Sequence, residues 1–297
     1  MKQMTLFLAV LLIGLFASAP RPAAAIENWP ALLNCSDVNA DGNVNIIDIG
    51  WLVVKFGTEY PNDDYLLLYD LSGDGYVNII DIGTAVLEFG DSCPLIETQV
   101  AAATLAVSKY RDPAVAAADG YIQASQYVQN MGIHMINIVN QVTYPNCCDI
   151  GSQLEHPVGL LYKETSPGSG VAGELIGLWY IVPVPAVCNL YGIPGPCQPI
   201  DTQPVGFGET NTDEDNLDPD GAGPQRGWHT HPSLCTWGVG STSAFTQENV
   251  AEDVCQSTGG VWFSTFGWMN HLYNFIPNPA GRFQNWNCNI AGAIVSC

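Results

Sequence analysis

Basic residues are scarce in this sequence. The 297-residue chain carries 8 Lys and Arg against 29 Asp and Glu, a formal net charge of −21. That balance excludes nucleic-acid binding, which needs a basic surface to displace counterions from phosphates, and it disfavours docking by charge on anionic lipid. Charged residues of both signs are only 12% of the chain while 47% is hydrophobic, the reverse of a disordered acidic tail and enough for a sizeable core. No long apolar run follows residue 25, so no membrane span is expected after it. Residues 1–25 themselves read as a secretory signal peptide: Met1-Lys2, an apolar run from Leu6 to Phe16 too short to cross a bilayer, then small residues for cleavage. H-E-x-x-H, G-x-S-x-G, the P-loop and the dinucleotide fingerprint are also missing, which removes the commonest signatures of metalloprotease, hydrolase and nucleotide chemistry.

All 10 cysteines lie beyond the signal segment, and in an exported chain that count points to disulfides. Zinc held by these cysteines is a poor reading because C-x-x-C never occurs. Cys35 and Cys93 bracket the first module and are expected to pair. The other eight allow 105 connectivities. Proximity alone suggests Cys188 with Cys197, Cys235 with Cys255 and Cys288 with Cys297, while the adjacent Cys147 and Cys148 point to different partners.

An internal repeat accounts for many of the acids. Residues 37–50 read DVNADGNVNIIDIG and residues 70–83 read DLSGDGYVNIIDIG, an offset of 33. Oxygen side chains fall at loop positions 1, 3, 5, 9 and 12: Asp37, Asn39, Asp41, Asn45 and Asp48, then Asp70, Ser72, Asp74, Asn78 and Asp81. Gly42 and Gly75 stand at position 6, where the loop must reverse, and Asn43 and Tyr76 offer the backbone carbonyl of position 7. Ca²⁺ takes six to eight hard oxygen ligands, so each loop is expected to hold one ion, two in all. A helix follows each loop, ended by Gly57 or Gly90, with Ile49, Leu52, Val53 and Phe56, then Ile82, Val86, Leu87 and Phe89, as the expected buried faces. Asp at position 12 separates these EF-hand-type loops from a sensor EF-hand.

Residues 34–93 resemble the dockerin type I family, whose D-x-N-x-D-G-x-V-N-x-x-D motif is complete in the first copy and has Ser72 in the third place of the second. The resemblance implies a small helical module that folds on calcium and docks onto a cohesin partner. At positions 10 and 11, where cellulosomal dockerins carry partner-reading polar pairs, this chain has Ile46-Ile47 and Ile79-Ile80. An intramolecular role or a different partner therefore stands beside cohesin docking.

Residues 94–102 show no strong periodicity and read as a linker to a second domain over 103–297. The alanine-rich run from Thr104 to Gly120 is expected to be helical, with Pro113 opening a second helical segment. The runs Gly132 to Val139, Val158 to Tyr162, Glu174 to Val184 and Val261 to Phe266 read as strands. The predicted fold class is α+β: a small helical calcium module and a larger β-rich, disulfide-stapled domain, a sheet or small barrel with an N-terminal helix.

The histidines all fall in this second domain: His134, His156, His229, His231 and His271. His229 and His231 form an H-x-H pair, which a strand presents on one face, and His134 and His271 lie on or near other strands. Imidazoles converging from separate strands make a site for zinc, copper or iron. His156 precedes Pro157 in a turn and reads as a surface residue. The blocks KYRDPAVAAADGYI, MGIHMIN, GWHTHPSLC, Cys255 with STGGVWF, and GWMNHLYNFIPNPAGRF resemble a recurrent family of secreted bacterial proteins, over most of residues 103–287. The resemblance implies that His134, His229, His231 and His271 occupy the family's histidine positions, supports pairing of Cys235 with Cys255, and supplies no reaction. Trp179 stands in a strand where the resemblance leads one to expect an acid, which argues against a carboxylate ligand there.

Three readings compete. The chain is a secreted calcium-binding protein whose C-terminal domain holds a transition metal through those four histidines. Alternatively the same constellation is the centre of a metal-dependent enzyme with an open coordination position. In the third reading the histidines only pack, and the protein is a non-catalytic extracellular adhesion or polysaccharide-associated protein, with Trp228, Trp237, Trp262 and Trp268 as buried packing or a sugar platform.

Overall fold

The computed structural model describes residues 31–143, 153–191, 197, 227–230, 233–238, 245–247, 249–279, 281–284 and 286–291. The expected signal peptide, His231, the Cys147-Cys148 pair and Cys297 lie outside them.

Each duplicated loop runs directly into a helix, and the loop's ninth residue is that helix's cap. Asn45 opens α1 (Ile46–Lys55) and Asn78 opens α2 (Ile79–Leu87). Their side chains accept the N–H of Ile47 and Ile80, while Asp48 and Asp81 reach back to the Asn45 and Asn78 N–H groups, a reciprocal capping box. Gly57 and Gly90 follow the helices at φ 89° and 94°, a backbone that only glycine adopts without strain. The copies then clasp each other. Val44 of the first loop pairs with Gly90 and Asp91 beyond α2, and Val77 of the second pairs with Gly57 and Thr58 beyond α1. Cys35 and Cys93 close the ends of this unit as a disulfide.

The buried faces of α1 and α2 differ from the expectation. Leu52 is buried and Ile49 is half-buried, but Val53, Phe56, Val86, Leu87 and Phe89 are exposed, Leu87 at 89%. These helices are apolar on almost every side, so periodicity could not select the stripe. The carboxylates select it instead. Asp48 and Asp81 must turn into their loops, and the residues four further on, Leu52 and Ala85, go inward with them.

Residues 94–102 are not a free linker. They lie mostly in α3 (Leu95–Val107), whose Val100, Ala101, Ala103, Thr104 and Val107 are buried. A helix buried on several sides has no single apolar stripe, which is why periodicity was absent. A 3-10 turn over Ser108–Arg111 leads to α4 (Pro113–Ala118), capped by Asp112 and ended near Gly120, as the alanine-rich run predicts.

The strands are β1 (Ile122–Gln123), β2 (Ile133–Ile136), β3 (Gly159–Glu164), β4 (Ala172–Pro183), β5 (His229–Thr230), β6 (Leu234–Trp237), β7 (Phe245–Gln247), β8 (Val261–Phe263) and β9 (Gly267–Leu272). Short helices lie among them: α5 (Ile138–Thr143), α6 (Pro185–Tyr191) and α7 (Glu252–Ser257). An antiparallel six-stranded sheet has the order β1-β2-β3-β4-β9-β5, and a three-stranded sheet the order β7-β6-β8. One face of the larger sheet, through Leu160, Tyr162, Leu178, Tyr180 and Leu272, shares a continuous core with Leu52, Leu68, Val100 and Val107. On the other face Leu161, Trp179, Ile181, Met269 and Tyr273 form a second cluster. Disulfides Cys188–Cys197 and Cys235–Cys255 form as proximity suggested. The fold is α+β, and among the described residues no helix is long and apolar enough to cross a membrane.

Candidate metal centres

The two loops are arranged as oxygen-lined cups. In the first, Asp37 takes the Asp41 N–H on Oδ1 at 2.9 Å and the Gly42 N–H on Oδ2 at 2.8 Å. Asp70 repeats this with Asp74 at 3.1 Å and Gly75 at 2.8 Å. Position 12 closes each cup: Asp48 accepts N–H groups from Asn39 and Asn45, and Asp81 from Ser72 and Asn78. The fifth-position carboxylates Asp41 and Asp74 hold the amides of Asn45 and Asn78 at 2.9 Å.

Asp37, Asp48, Asp70 and Asp81 are all 0% exposed. No Lys or Arg ion pair reaches them among the described residues. Burial pushes the carboxyls of Asp48 and Asp70 up, and neighbouring aspartates push the same way. Buried like charges without a cation are costly, and a hard divalent ion relieves that cost. The donor set, all oxygen with a glycine reversal at φ 88° and 84°, fits Ca²⁺ through the residues expected at positions 1, 3, 5, 9 and 12 and the carbonyls of Asn43 and Tyr76.

Three of the predicted histidines come together on the sheet face away from α3. β2 carries His134, β9 carries His271 and the edge strand β5 carries His229, opposite Met269. Two strands separate β2 from β9, so the sheet must curl for their side chains to meet. Gly159 and Gly177 in those strands leave the room: a Cβ at Gly159 would lie 1.9 Å from the Trp179 indole, and one at Gly177 2.4 Å from the Leu272 carbonyl. Nε2 of His134 and Nε2 of His271 are 3.3 Å apart. Ring centres lie 5.5 Å apart for His134 and His271 and 5.1 Å for His229 and His271. His229 Nδ1 donates to the Gly227 carbonyl at 2.8 Å, which leaves its Nε2 as the lone-pair nitrogen. His134 Nδ1 is 3.2 Å from Ser125 Oγ, which also accepts the His134 N–H.

Among the described residues no three His, Cys, Asp or Glu side chains form a complete metal-binding group. Trp179 lies edge-on to His134 at 5.8 Å and gives its indole N–H to the Met135 carbonyl, so β4 offers packing here and no carboxylate. His156 is exposed, as its turn position suggests. Trp228 is buried, and Trp237 and Trp262 spend their N–H groups on Thr258 and Val250 beside the Cys235–Cys255 bridge.

Sequence reasoning missed Glu97, Thr98 and Tyr65 around these centres. Glu97 in α3 is buried against Arg282 and Asn34. Thr98 and Tyr65 donate hydroxyls to Asp37 and Asp70. The repeat carried a signal for all three, since Asp64 and Glu97, and Tyr65 and Thr98, stand the same 33 residues apart as the loops. Residues 35–84 match the family model of the dockerin type I domain. No curated protein and no solved structure matches the chain.

Proposed function

We propose, taking the dockerin type I match over residues 35–84 as premise, that the chain is a secreted calcium-dependent docking protein whose sheet domain is carried by the module over residues 34–93. Dockerin domains bind calcium and cohesins. In this chain the docking chemistry is apolar. Ile46, Ile47, Val53 and Val54 on α1 and Phe56 just after it are each more than half exposed, and so are their counterparts Ile79, Ile80, Val86, Leu87 and Phe89. That observation carries the reading: the same five apolar positions face solvent twice, and a soluble protein keeps such a surface for a partner. Calorimetric titration with Ca²⁺ followed by binding to a panel of cohesin domains tests it. Two bound ions, and loss of cohesin binding in the Ile47→Asp, Ile80→Asp double variant, are expected. Wild-type affinity in that variant sinks the docking assignment, and absent calcium uptake sinks the premise.

The histidine cluster supports a second, separate reading, a transition-metal site of the zinc or copper class in which His134, His229 and His271 supply part of the ligand set and His231 completes it. Two imidazoles on one tetrahedral ion place their Nε2 atoms about 3.3 Å apart and their ring centres about 5 Å apart. The His134–His271 and His229–His271 separations match that geometry. Untagged protein reconstituted with Co²⁺ is expected to show the visible bands of a tetrahedral nitrogen site and to lose them in His271→Ala. Less than about a tenth of an equivalent of metal after reconstitution with Zn²⁺, Cu²⁺ or Co²⁺ defeats the reading.

A further inference from the structure

We propose that Thr98 and Tyr65 are positioning residues of the two calcium sites, and that Thr98 couples calcium occupancy to the sheet domain. The inference rests on the calcium reading above. In both loops the first aspartate gives Oδ2 to the glycine N–H of position 6, and in both a hydroxyl from outside the loop adds a second donor to that same oxygen. Thr98 Oγ1 reaches Asp37 Oδ2 at 2.9 Å, and the Tyr65 hydroxyl reaches Asp70 Oδ2 at 2.7 Å. Oδ2 is thus doubly held in both loops, while Oδ1 accepts the position-5 N–H of Asp41 or Asp74, and in the second loop also the Gly73 N–H and the Ser72 hydroxyl, so each carboxylate is fixed from both oxygens. An outer hydrogen bond of this kind fixes the carboxylate's orientation and its charged state, as outer-shell partners of metal ligands do elsewhere.

The two hydroxyls are related by the repeat. Tyr65 stands 28 residues after Asp37 and Thr98 stands 28 residues after Asp70. Each crosses to the other copy's loop, so the exchange is reciprocal, like the pairing of Val44 and Val77 with the opposite helix ends. Pro61 and Pro94, and Asp64 and Glu97, follow the same offset. The duplicated unit therefore extends past the matched residues 35–84 and into α3, the helix that belongs to the sheet domain's core.

That overlap ties calcium to the rest of the chain. Beside Thr98, Glu97 takes two hydrogen bonds from Arg282, at 2.8 and 2.6 Å, from the segment after β9. On the other side, Arg111 donates to the Tyr65 carbonyl and lies 5.5 Å over the Phe275 ring. Val100 and Val107 of α3 pack in one core with Leu178 and Leu272. Ordering Asp37 around an ion thus orders α3, and α3 shares one core with Leu178 of β4 and Leu272 of β9.

The test uses the full chain. Thr98→Val replaces the hydroxyl by a methyl group of similar size, and Tyr65→Phe removes the hydroxyl alone. Calorimetry is expected to show one of two calcium sites weakened about tenfold in each variant, a different site in each, with Thr98→Ser restoring wild-type affinity. Hydrogen exchange read by mass spectrometry on peptides from β4 and β9 is expected to slow on calcium addition in the wild type and to slow less in Thr98→Val. Wild-type calcium affinity in both variants overturns the positioning roles. Calcium uptake without any change in β4 and β9 exchange overturns the coupling. A wild-type chain that takes up no calcium overturns the underlying calcium reading, and so is distinguishable from the other two results.

Discussion

Replacing Arg282 by Met is expected to destabilise the whole chain, because it strands a buried carboxylate. Glu97 is 3% exposed and accepts from Arg282 at 2.8 and 2.6 Å and from the Asn34 N–H at 2.8 Å. Arg282 also donates to the Leu32 carbonyl and covers the Phe283 ring. Methionine fills much of the arginine stem's volume, so the loss is chiefly the pairing. Removing one partner of a buried ion pair costs about 3–5 kcal/mol. At roughly 2–4 °C per kcal/mol for a chain of this size, the melting temperature is expected to fall by roughly 6–20 °C. Adding Glu97→Gln removes the stranded charge, and the double variant is expected to recover part of the loss. The acid limb gives an independent check. Burial pushes the Glu97 carboxyl up, but the Arg282 hydrogen bonds and charge, with the Asn34 N–H, outweigh it and hold Glu97 below its ordinary value. A depressed folded pKa means that the stabilisation is complete above the unfolded value, near about 4.3, and drains away as pH falls through the folded value. Scanning calorimetry in saturating calcium from neutral to acid pH reads both effects. The gap between wild type and Arg282→Met is expected to narrow below about pH 4.3. A shift under about 2 °C at neutral pH, or a gap that stays constant into acid, refutes the reasoning.

Three further outcomes follow from single contacts. The Cys35→Ser, Cys93→Ser pair opens a loop of sequence separation 58. By loop-closure entropy it is expected to cost about 4 kcal/mol, measured by urea unfolding with calcium present, and a loss below about 1 kcal/mol counts against that account. Gly159→Ala drives a Cβ into the Trp179 indole beside His134. It is expected to cost about 1–3 kcal/mol and to lower Co²⁺ uptake, and unchanged stability in the same urea assay rejects the crowding argument. Asn270 is 1% exposed, with neither side-chain amide atom hydrogen-bonded among the described residues. Asn270→Leu is therefore expected to be neutral or stabilising in thermal unfolding, and a loss above about 2 kcal/mol contradicts that expectation.

The duplicated loop-and-helix unit was legible because residue types at fixed short spacings recur in register, and the dockerin type I match falls on the same stretch. The disulfides Cys188–Cys197 and Cys235–Cys255 are short-range and followed proximity. Strands β3 and β4 were legible from their β-branched and aromatic runs. What failed was non-local. Nothing in the order of the sequence places β9 between β4 and β5, so the meeting of His134 with His271 was expected only as a convergence of strands of unstated order. The buried stripe of α1 was misread because Val53 and Phe56 are as apolar as Leu52, and the inward pull of Asp48 had no expression in hydropathy. Residues 94–102 were misread for the opposite reason: a helix enclosed by both the loops and the sheet has no pattern to show. Thr98 and Tyr65 differ in type, so the repeat that relates them was invisible to identity matching.

The absence of slack between Cys93 and α3 bears on what the proposed docking would do to this protein. A module on a flexible tether fixes only where its cargo is, and leaves the cargo free to sample every orientation within the tether's reach. Here α3, which begins two residues after Cys93, is already part of the sheet domain's core, and a salt bridge between Glu97 and Arg282 closes the far side of the joint. Docking through α1 and α2 would then behave as a bracket. It would fix the orientation of the sheet domain as well as its location.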